Sequence, residues 1–183
     1  MKPPLFPKPY ADLVARLRVP CGFVLVAAFA WFSHPNARSL AAGLPLAMLG
    51  LGLRAWAAGH LAKNQALATA GPYAYVRNPL YLGTMLVAGG LAIASRSAGL
   101  AGLFALVFLC IYLPVMQLEE QHLRSLFPEY AAYAGRVPAL VPRMAGSRLR
   151  QPFRWSLYVR NREYQAAVGL MAGALLLAWK ALR

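Results

Sequence analysis

The sequence predicts an all-α membrane protein, a polytopic bundle of about five transmembrane helices with further helices along one membrane interface. Three observations predict this class: the composition, the separation of apolar residues into blocks, and the placement of the cations between those blocks. Hydrophobic side chains make up 60% of the 183 residues and charged side chains 13%. Soluble domains carry about a quarter charged residues, so this composition excludes an ordinary soluble domain.

Five apolar blocks each predict a helix, at residues 19–32, 40–61, 79–95, 97–118 and 164–179. A bilayer core requires about 20 mostly apolar residues per helix. Only the fourth block meets that length cleanly, while the first, third and fifth reach it with flanking Arg and Lys that can extend to the interface. A secretory signal peptide is the alternative for the first block. Its late start, after several prolines, and the lack of a small-x-small cleavage site favour a helix.

The cations predict the orientation of the bundle. With five spans and the amino terminus inside, the outer segments hold only Arg38, Arg96, Lys180 and Arg183. The inner segments hold most other Lys and Arg residues, in agreement with the positive-inside rule. We therefore expect an integral membrane protein, most simply of a bacterial inner membrane, with its amino terminus and polar loops in the cytoplasm. Orientation and attraction to anionic lipid head groups explain most of the net charge of +14, so we expect no nucleic-acid partner.

Cysteine and histidine give no sign of a metal site. Cys21 and Cys110 fall within predicted spans, where a thiol usually packs as a small apolar group. His34, His60 and His122 are scattered, and the sequence has no CxxC motif. The sequence therefore predicts no bound metal.

The first polar segment runs from about residue 60 to 81 and contains GPYAYVRNPLYLG at residues 71–83. Gly-Pro predicts a turn, and Asn78-Pro79 predicts the start of the third helix, with Asn as cap and Pro in the first turn. An interfacial hairpin with a belt of tyrosines is one interpretation. The other is a ligand site, because a helix amino terminus attracts anions, Arg77 can fork onto a carboxylate, and tyrosines can flank a purine or a sulfonium.

The second polar segment runs from Glu119 to about Arg162 and begins with EEQHLRSLFPEYAAYAGRVP at residues 119–138. Two adjacent carboxylates at the mouth of a membrane helix are costly unless they meet cations or water. The structural interpretation is that Glu119 and Glu120 pair with Arg124 or Arg77. Large apolar side chains then recur at three- and four-residue spacing, which predicts an amphipathic interfacial helix: Leu123, Leu126, Phe127 and Tyr130.

Together the two segments resemble the isoprenylcysteine carboxyl methyltransferase and phospholipid methyltransferase superfamily of integral membrane enzymes. Its pattern is GPYxxxR(H/N)PxYxG before one span and EExxLxxxFxxxYxxYxxxVPxxxP after the next. The match covers residues 54–142. We expect a single domain, 1–183, whose carboxyl-terminal part, 143–183, consists of an interfacial segment and the last span. The resemblance implies a pocket for S-adenosyl-L-methionine, closed over by the two cytoplasmic segments, and a lipid or prenylated acceptor entering between helices.

The resemblance also implies the residues of the site. Arg77 and Glu120 belong to the implied polar lining and are the candidate catalytic residues. A carboxylate acceptor needs no base, whereas for an amine or a thiol acceptor Glu120 is the best local candidate for the proton acceptor. The implied cofactor contacts are Gln65, Leu67, Ala68, Tyr73, Asn78, Pro79, Leu80, Tyr81, Glu119, Tyr130, Tyr133 and Arg136. Asn78 stands where the prenylcysteine enzymes have His, and an amide cannot act as a general base near pH 7. Val115 stands where we expect their substrate-contacting Arg, so the acceptor stays open between carboxyl, amine and thiol.

Two other classes of function stay open. The first is an NADPH-dependent membrane reductase of the sterol reductase type, which shares an Arg-His/Asn-Pro-x-Tyr segment. It is disfavoured by the fit of residues 119–138 and by the lack of a GxGxxG fingerprint. The second is a non-enzymatic membrane protein, disfavoured as a transporter because no polar residue lies near mid-bilayer.

Two further parts of the sequence are expected to lie near the pocket. We expect Arg54 and His60 to face it. Residues 153–164 alternate aromatics with cations, which predicts an interfacial anchor or, alternatively, a cap on the site.

Overall fold

The computed structural model describes residues 6–143 and 151–183. Within those ranges the chain forms helices and no strand. This confirms the predicted class, an all-helical membrane bundle. The predicted inner-side cations Lys2, Arg148 and Arg150 lie outside the described residues.

The part of the chain that the structure describes contains eight α-helices. They are α1 (Lys8–Phe32), α2 (Ala37–Ala58), α3 (Pro79–Ser95), α4 (Ala98–Val107), α5 (Leu113–Leu126), α6 (Tyr130–Arg136), α7 (Trp155–Arg160) and α8 (Tyr164–Ala181). A short 3₁₀ helix, Gly71–Ala74, lies between α2 and α3. A single π-helical turn, Phe108–Tyr112, joins α4 and α5 into one stretch.

Each of the five predicted blocks lies mostly in helix, although not all of those helices have the length of a span. Three stretches within the described ranges are long and apolar enough to cross a bilayer: α2, the continuous stretch Ala98–Leu126, and α8. α1 is a fourth if its two halves, Pro9–Leu17 and Val19–Phe32, bent by 50°, count as one span. α3 is apolar but has 17 residues, or about 25 Å of helix. The predicted five spans are therefore three or four by length and composition.

Proline explains the bend in α1. Pro20 lies inside the helix, where it donates no backbone hydrogen bond and its ring crowds the carbonyl of Arg16, four residues earlier. A helix yields at such a point because one rung of its hydrogen-bond ladder is missing. The bend divides α1 into an amino-terminal part and the apolar part that the sequence predicted.

A second proline ties α1 to α5. Pro114 follows the π-helical turn and lacks the N–H that would bond the carbonyl of Cys110 in a regular α-helix. The hydroxyl of Tyr10 donates to that carbonyl instead, at 2.8 Å. The amino-terminal part of α1 is thereby held beside α5, a contact that the hydrophobic pattern does not predict.

Glycines bring α2 and α3 into close contact. A Cβ atom on Gly90 would lie 2.5 Å from the backbone nitrogen of Ala47 and from the carbonyl oxygen of Gly43. A Cβ atom on Gly50 would lie 2.6 Å from the carbonyl oxygen of Gly83. Small residues allow helix backbones to approach in this way inside a membrane. α2 and α3 therefore form a tight antiparallel pair, which fixes the polar segment between them.

Replacing Gly90 with Ala is expected to lower the free energy of unfolding by about 1–3 kcal/mol, since the added methyl group meets backbone atoms that cannot turn aside. The neighbouring Gly89 is a matched control, because a Cβ atom there meets nothing within 4 Å. Gly89→Ala is expected to be neutral or slightly stabilising. Denaturant unfolding of the detergent-solubilised variants measures both, and equal stabilities would contradict the close packing of α2 on α3.

The end of the bundle opposite the two motifs is joined by polar contacts. The backbone N–H of His34 donates to the carbonyl of Ser95 at 2.8 Å. The ammonium of Lys180, in the last turn of α8, donates to the carbonyl of Ala30 at 2.9 Å and to the hydroxyl of Ser33 at 3.2 Å. The carboxyl ends of α1, α3 and α8 thus lie together, as the predicted alternation of spans requires.

Candidate functional site

The two polar segments meet at one end of the bundle, which we call the motif end. It consists of residues 59–78, between α2 and α3, and residues 119–143, which follow the apolar part of α5. Backbone hydrogen bonds join them: the N–H of Arg77 donates to the carbonyl of Pro138 at 2.8 Å, and the N–H of Asn78 donates to the carbonyl of Ala139 at 3.2 Å. The sequence prediction that the two segments lie together is confirmed.

α3 begins at Pro79, as predicted, but the side chain of Asn78 does not cap it. Its amide nitrogen donates to Oε1 of Glu120 at 3.1 Å and to the carbonyl of Ala139 at 3.3 Å. Asn78 therefore occupies the predicted N-cap position, but the side-chain capping bond is absent because the amide is drawn to acceptors in the second segment. Asn78 instead links the start of α3 to the second motif.

Arg77 and Glu120 form an ion pair across the two motifs. Nη2 of Arg77 lies 3.4 Å from Oε1 of Glu120, and the two side chains are 14% and 19% exposed. Nη1 of Arg77 donates to the carbonyl of Ala134 at 3.4 Å. Nε of Arg77 is buried and has no hydrogen-bond acceptor among the described residues. One donor of this guanidinium is therefore left for a further acceptor.

Three buried tyrosines pack beside this ion pair. The hydroxyl of Tyr133 donates to the carbonyl of Tyr73 at 2.7 Å, and the rings of Tyr130 and Tyr133 meet edge to face. Burial, and then the charge of Glu120, raise the pKa of Tyr130 to about 12, and burial likewise raises the pKa values of Tyr73 and Tyr133. All three phenols are therefore neutral near pH 7, where they donate hydrogen bonds and offer ring faces.

A cavity of about 490 Å³ opens at the motif end, within the size range of small-molecule sites. Both motif segments line it, together with α1 and the first turn of α3. Several implied site residues are in the lining: Leu67, Ala68, Tyr73, Arg77, Leu80, Glu119, Tyr130 and Tyr133. Others are not: Gln65, Asn78, Pro79, Tyr81, Glu120 and Arg136.

Residues 40–130 match the model of the phospholipid methyltransferase family. The chain belongs to the integral membrane methyltransferase superfamily. The matched range begins at the amino-terminal end of α2 and ends at the start of α6, so it contains most of the residues that line the cavity.

Two relatives of this superfamily member carry names that refer to metals. The chain is 38% identical over 124 residues to the cobalt-zinc-cadmium resistance protein CzcN of Cupriavidus metallidurans, covering 64% of this chain and 56% of the relative. It is 37% identical over 111 residues to the nickel-cobalt-cadmium resistance protein NccN of Alcaligenes xylosoxydans xylosoxydans, covering 57% and 52%. The chain spans about half the length of these curated relatives. No solved structure matches it.

The implied site residues that do not line the cavity contact other parts of the chain. The side chain of Gln65 accepts from Nη2 of Arg160 at 3.1 Å. The ring of Tyr81 lies 6.2 Å from that of Tyr112. Arg136 is exposed in the last turn of α6. These residues frame the site and contribute no surface to the cavity.

Arg54 and His60 do not line the cavity, so that expectation is wrong. Nε and Nη2 of Arg54 bond both carboxylate oxygens of Glu163, at 2.6 and 3.1 Å, and Nη1 reaches the hydroxyl of Thr84. The ring nitrogens of His60 lie 2.9 Å from the carbonyl of Trp56 and 3.1 Å from that of Gln151. Both side chains hold the last part of the chain against α2 and the first motif.

Sequence reasoning missed a wall of the cavity that comes from α1. Ala15 lines the cavity together with Val115 and Leu118 of α5, and it packs against the apolar cluster that contains Val115. Phe6 and the side chain of Gln117 exchange two hydrogen bonds, at 3.0 and 2.9 Å, which hold the start of α1 in place. No local signal could have found this wall, since it depends on the bend in α1 and on pairings about a hundred residues apart.

Polar residues outside the implied set also line the cavity. Lys63 and Asn64 come from the first segment, and His122 comes from α5, one turn after Glu119. The three- and four-residue spacing of Val115, Glu119 and His122 places them on one helix face, which is the signal that could have found His122. The last segment of the described chain, 151–183, contributes no residue to the lining.

Proposed function

We propose that the chain is an S-adenosyl-L-methionine-dependent methyltransferase that modifies a lipid or prenylated acceptor at the cytoplasmic membrane face. The observation that carries the proposal is the cavity of about 490 Å³ built by both motifs in a member of the methyltransferase superfamily. Its lining combines an arginine, a carboxylate and aromatic rings with apolar side chains of α5 and the methyl group of Ala15 in α1. This combination suits a charged cofactor and a hydrocarbon-bearing acceptor.

The polar lining fits the charges of the proposed cofactor. The guanidinium of Arg77, which lines the cavity and keeps one N–H without an acceptor among the described residues, suits the cofactor's carboxylate. The exposed carboxylate of Glu119 suits an ammonium or sulfonium group, and the rings of Tyr73 and Tyr130 suit adenine or the sulfonium. When bound, S-adenosyl-L-methionine supplies an activated methyl group.

The chain must also align the acceptor with the methyl group and exclude water from the cavity. Methyl transfer is a displacement at carbon, so its rate depends on holding the acceptor in line with the methyl group. Leu80, Val115 and Leu118 give the cavity an apolar wall, against which the hydrocarbon part of an acceptor can pack. These side chains keep water from the reacting centre.

Glu120 has contacts that support a positioning role. Its Oε1 accepts from Asn78 at 3.1 Å and pairs with Arg77 at 3.4 Å, and its carboxylate also bonds Tyr130. It is outside the cavity lining. We propose that Glu120 fixes the guanidinium of Arg77 at the cavity wall. The sequence-based role of Glu120 as proton acceptor stays a prediction.

The distribution of exposed cations supports the proposed orientation. Arg124, Arg136, Arg154, Arg160 and Arg162 are exposed at or next to the motif end. The positive-inside rule places such an end in the cytoplasm.

The relatives CzcN and NccN are named for resistance to metals. We propose that methylation of a membrane component by this chain contributes to metal tolerance.

Calorimetric titration of the detergent-purified protein with S-adenosylhomocysteine, and separately with NADPH, tests the proposal. We expect S-adenosylhomocysteine to bind and NADPH to produce no specific heat, because the family match and both motifs favour the methyltransferase. Binding of NADPH alone would replace the proposal with the membrane reductase. Binding of neither compound by a protein that unfolds cooperatively would contradict a cofactor pocket at the motif end.

A further inference from the structure

Residues 151–163, which we call the α7 segment, present an amphipathic face that no other part of the described chain covers. Trp155 is 69% exposed and Val159 is 58% exposed, and their four-residue spacing places them on one face of α7. Leu157 is buried on the other face. The ring of Trp155 packs edge to face against Phe153. Exposed aromatic residues beside the start of a spanning helix are typical of the bilayer interface.

The charge of the α7 segment is positive and uncompensated. Arg154, Arg160 and Arg162 are exposed. The segment's single acid, Glu163, is buried, and both its carboxylate oxygens are bonded by Arg54. An aromatic face flanked by free guanidinium groups complements an anionic phospholipid surface.

The opposite side of the α7 segment is bonded to the start of the first motif segment. The backbone N–H of Arg154 donates to the carbonyl of Gly59 at 3.0 Å. The amide of Asn161 donates to the carbonyls of Ala58 and Leu61, both at 2.9 Å. These bonds satisfy carbonyl groups at the carboxyl end of α2 and just after it. The α7 segment therefore supports the chain that follows α2.

Two side-chain contacts strengthen the same attachment. The ring of Phe153 covers Gly59 closely enough that a Cβ atom there would clash with it. Nη2 of Arg160 donates to Oε1 of Gln65 at 3.1 Å. Arg160 is exposed, and a guanidinium has five N–H donors, so it can bond Gln65 and a lipid phosphate at once.

The supported chain is also a wall of the cavity. Its cavity-lining residues are Leu61, Lys63, Asn64, Ala66, Leu67 and Ala68. This stretch lies outside regular helix and includes Asn64 in the left-handed region, with φ of 60°. Its conformation therefore depends on contacts with its neighbours, and the α7 segment supplies several of them.

We propose that the α7 segment binds an anionic phospholipid surface and, through Arg160 and Asn161, fixes the cavity wall at residues 61–68 in its ligand-binding conformation. Lipid phosphates hold the guanidinium groups of Arg154, Arg160 and Arg162. Lipid binding thereby restricts the motion of the α7 segment and of the cavity wall that it supports. A ligand that then enters the cavity causes a smaller loss of conformational entropy in that wall. Cofactor affinity is thereby coupled to the anionic lipid content of the membrane. The inference rests on the proposed function, since it requires a cofactor in the cavity.

Titration of S-adenosylhomocysteine into the full chain in lipid nanodiscs tests this coupling. One set of nanodiscs contains phosphatidylcholine alone, and the other contains equal parts of phosphatidylcholine and phosphatidylglycerol. We expect about three- to fivefold tighter binding in the anionic nanodiscs, the size of one cation's attraction to such a surface. High salt should reduce the difference by screening.

Three variants assign the effect. Arg160→Gln is expected to bring the ratio of the two affinities close to one, because Arg160 joins the lipid to Gln65, and Arg154→Gln is expected to lower the ratio part of the way. The ratio is informative because a merely structural loss would weaken binding equally in both lipids. Arg38→Gln is the matched control, since Arg38 is exposed at the opposite end of the bundle, and its ratio should stay at the wild-type value.

The outcomes separate this inference from the proposed function. Equal affinities in the two lipids, or an equal loss of the ratio in Arg38→Gln, would overturn the coupling and leave the cofactor pocket standing. Absence of S-adenosylhomocysteine binding in both lipids, by protein that unfolds cooperatively, would overturn the proposed function and this inference with it.

Discussion

Replacing Arg77 with Gln is expected to weaken the binding of S-adenosylhomocysteine by at least about 30-fold, equivalent to about 2 kcal/mol. The variant loses the guanidinium that lines the cavity, and with it the proposed contact to the ligand's carboxylate. It also leaves Glu120 without its cationic partner. Calorimetry in detergent measures the affinity.

Two controls make the Arg77 result specific. Arg38→Gln removes an exposed cation at the opposite end and should leave the affinity unchanged. Arg77→Lys retains the charge but not the fork of donors, so we expect an intermediate affinity. Wild-type affinity in Arg77→Gln would remove Arg77 from the proposed site, provided that its unfolding midpoint matches that of the wild type.

Replacing Arg54 with Met is expected to lower the free energy of unfolding by about 2–3 kcal/mol. Glu163 is 6% exposed and would lose the partner that bonds both of its oxygens. An unpaired buried carboxylate costs about 3–5 kcal/mol, and we expect a loss at or below the lower end of that range because the side chain of Arg54 is 23% exposed. Denaturant unfolding with a constant detergent concentration measures the change.

A double variant distinguishes loss of the charge partner from loss of packing. Arg54→Met combined with Glu163→Gln removes both charges, so we expect it to recover most of the lost stability. Glu163→Gln alone should be less destabilising than Arg54→Met, because a neutral amide costs less to bury than a charge. Additive losses in the double variant would contradict an energetic coupling between Arg54 and Glu163.

Local patterns were sufficient to predict the apolar helices and the meeting of the two motifs. The amphipathic helix predicted in the second segment is wrong as one continuous helix, because the chain turns to an extended conformation between α5 and α6. The start of α3 at Pro79 follows from an Asn-Pro step before an apolar run, and the structure places it there. The ion pair of Arg77 and Glu120 was one of two pairings that the charges allowed. The alternative partner, Arg124, lies over the ring of Tyr130 instead.

Contacts between distant parts of the chain could not be predicted in this way. Arg54 and Glu163 are 109 residues apart, and their pairing is decided by how α8 packs against α2 and α3. The hydroxyl of Tyr10 meets the carbonyl of Cys110 because α1 bends and α5 contains a proline. Each depends on tertiary packing, which a pattern of apolar and polar residues does not determine.

The difference between local patterns, which could be predicted, and tertiary contacts, which could not, matters most for the candidate site. The resemblance indicated residues by their position in two motifs, and the structure separates those that line the cavity, such as Tyr73, from those that support it, such as Gln65. It also adds Ala15 and His122, which lie outside the implied set. A motif thus identifies the segments of a site more reliably than the side chains that face its ligand.

Methyl transfer in native membranes tests the central claim most directly. Membranes containing the chain are incubated with S-adenosylmethionine carrying a tritium-labelled methyl group, and the lipid extract is counted after chromatography. The account predicts label in a lipid or prenylated fraction, retained in Arg38→Gln and lost in Arg77→Gln. Label that is equal in membranes with and without the chain, although the purified protein binds S-adenosylhomocysteine, would contradict methyl transfer to a membrane acceptor.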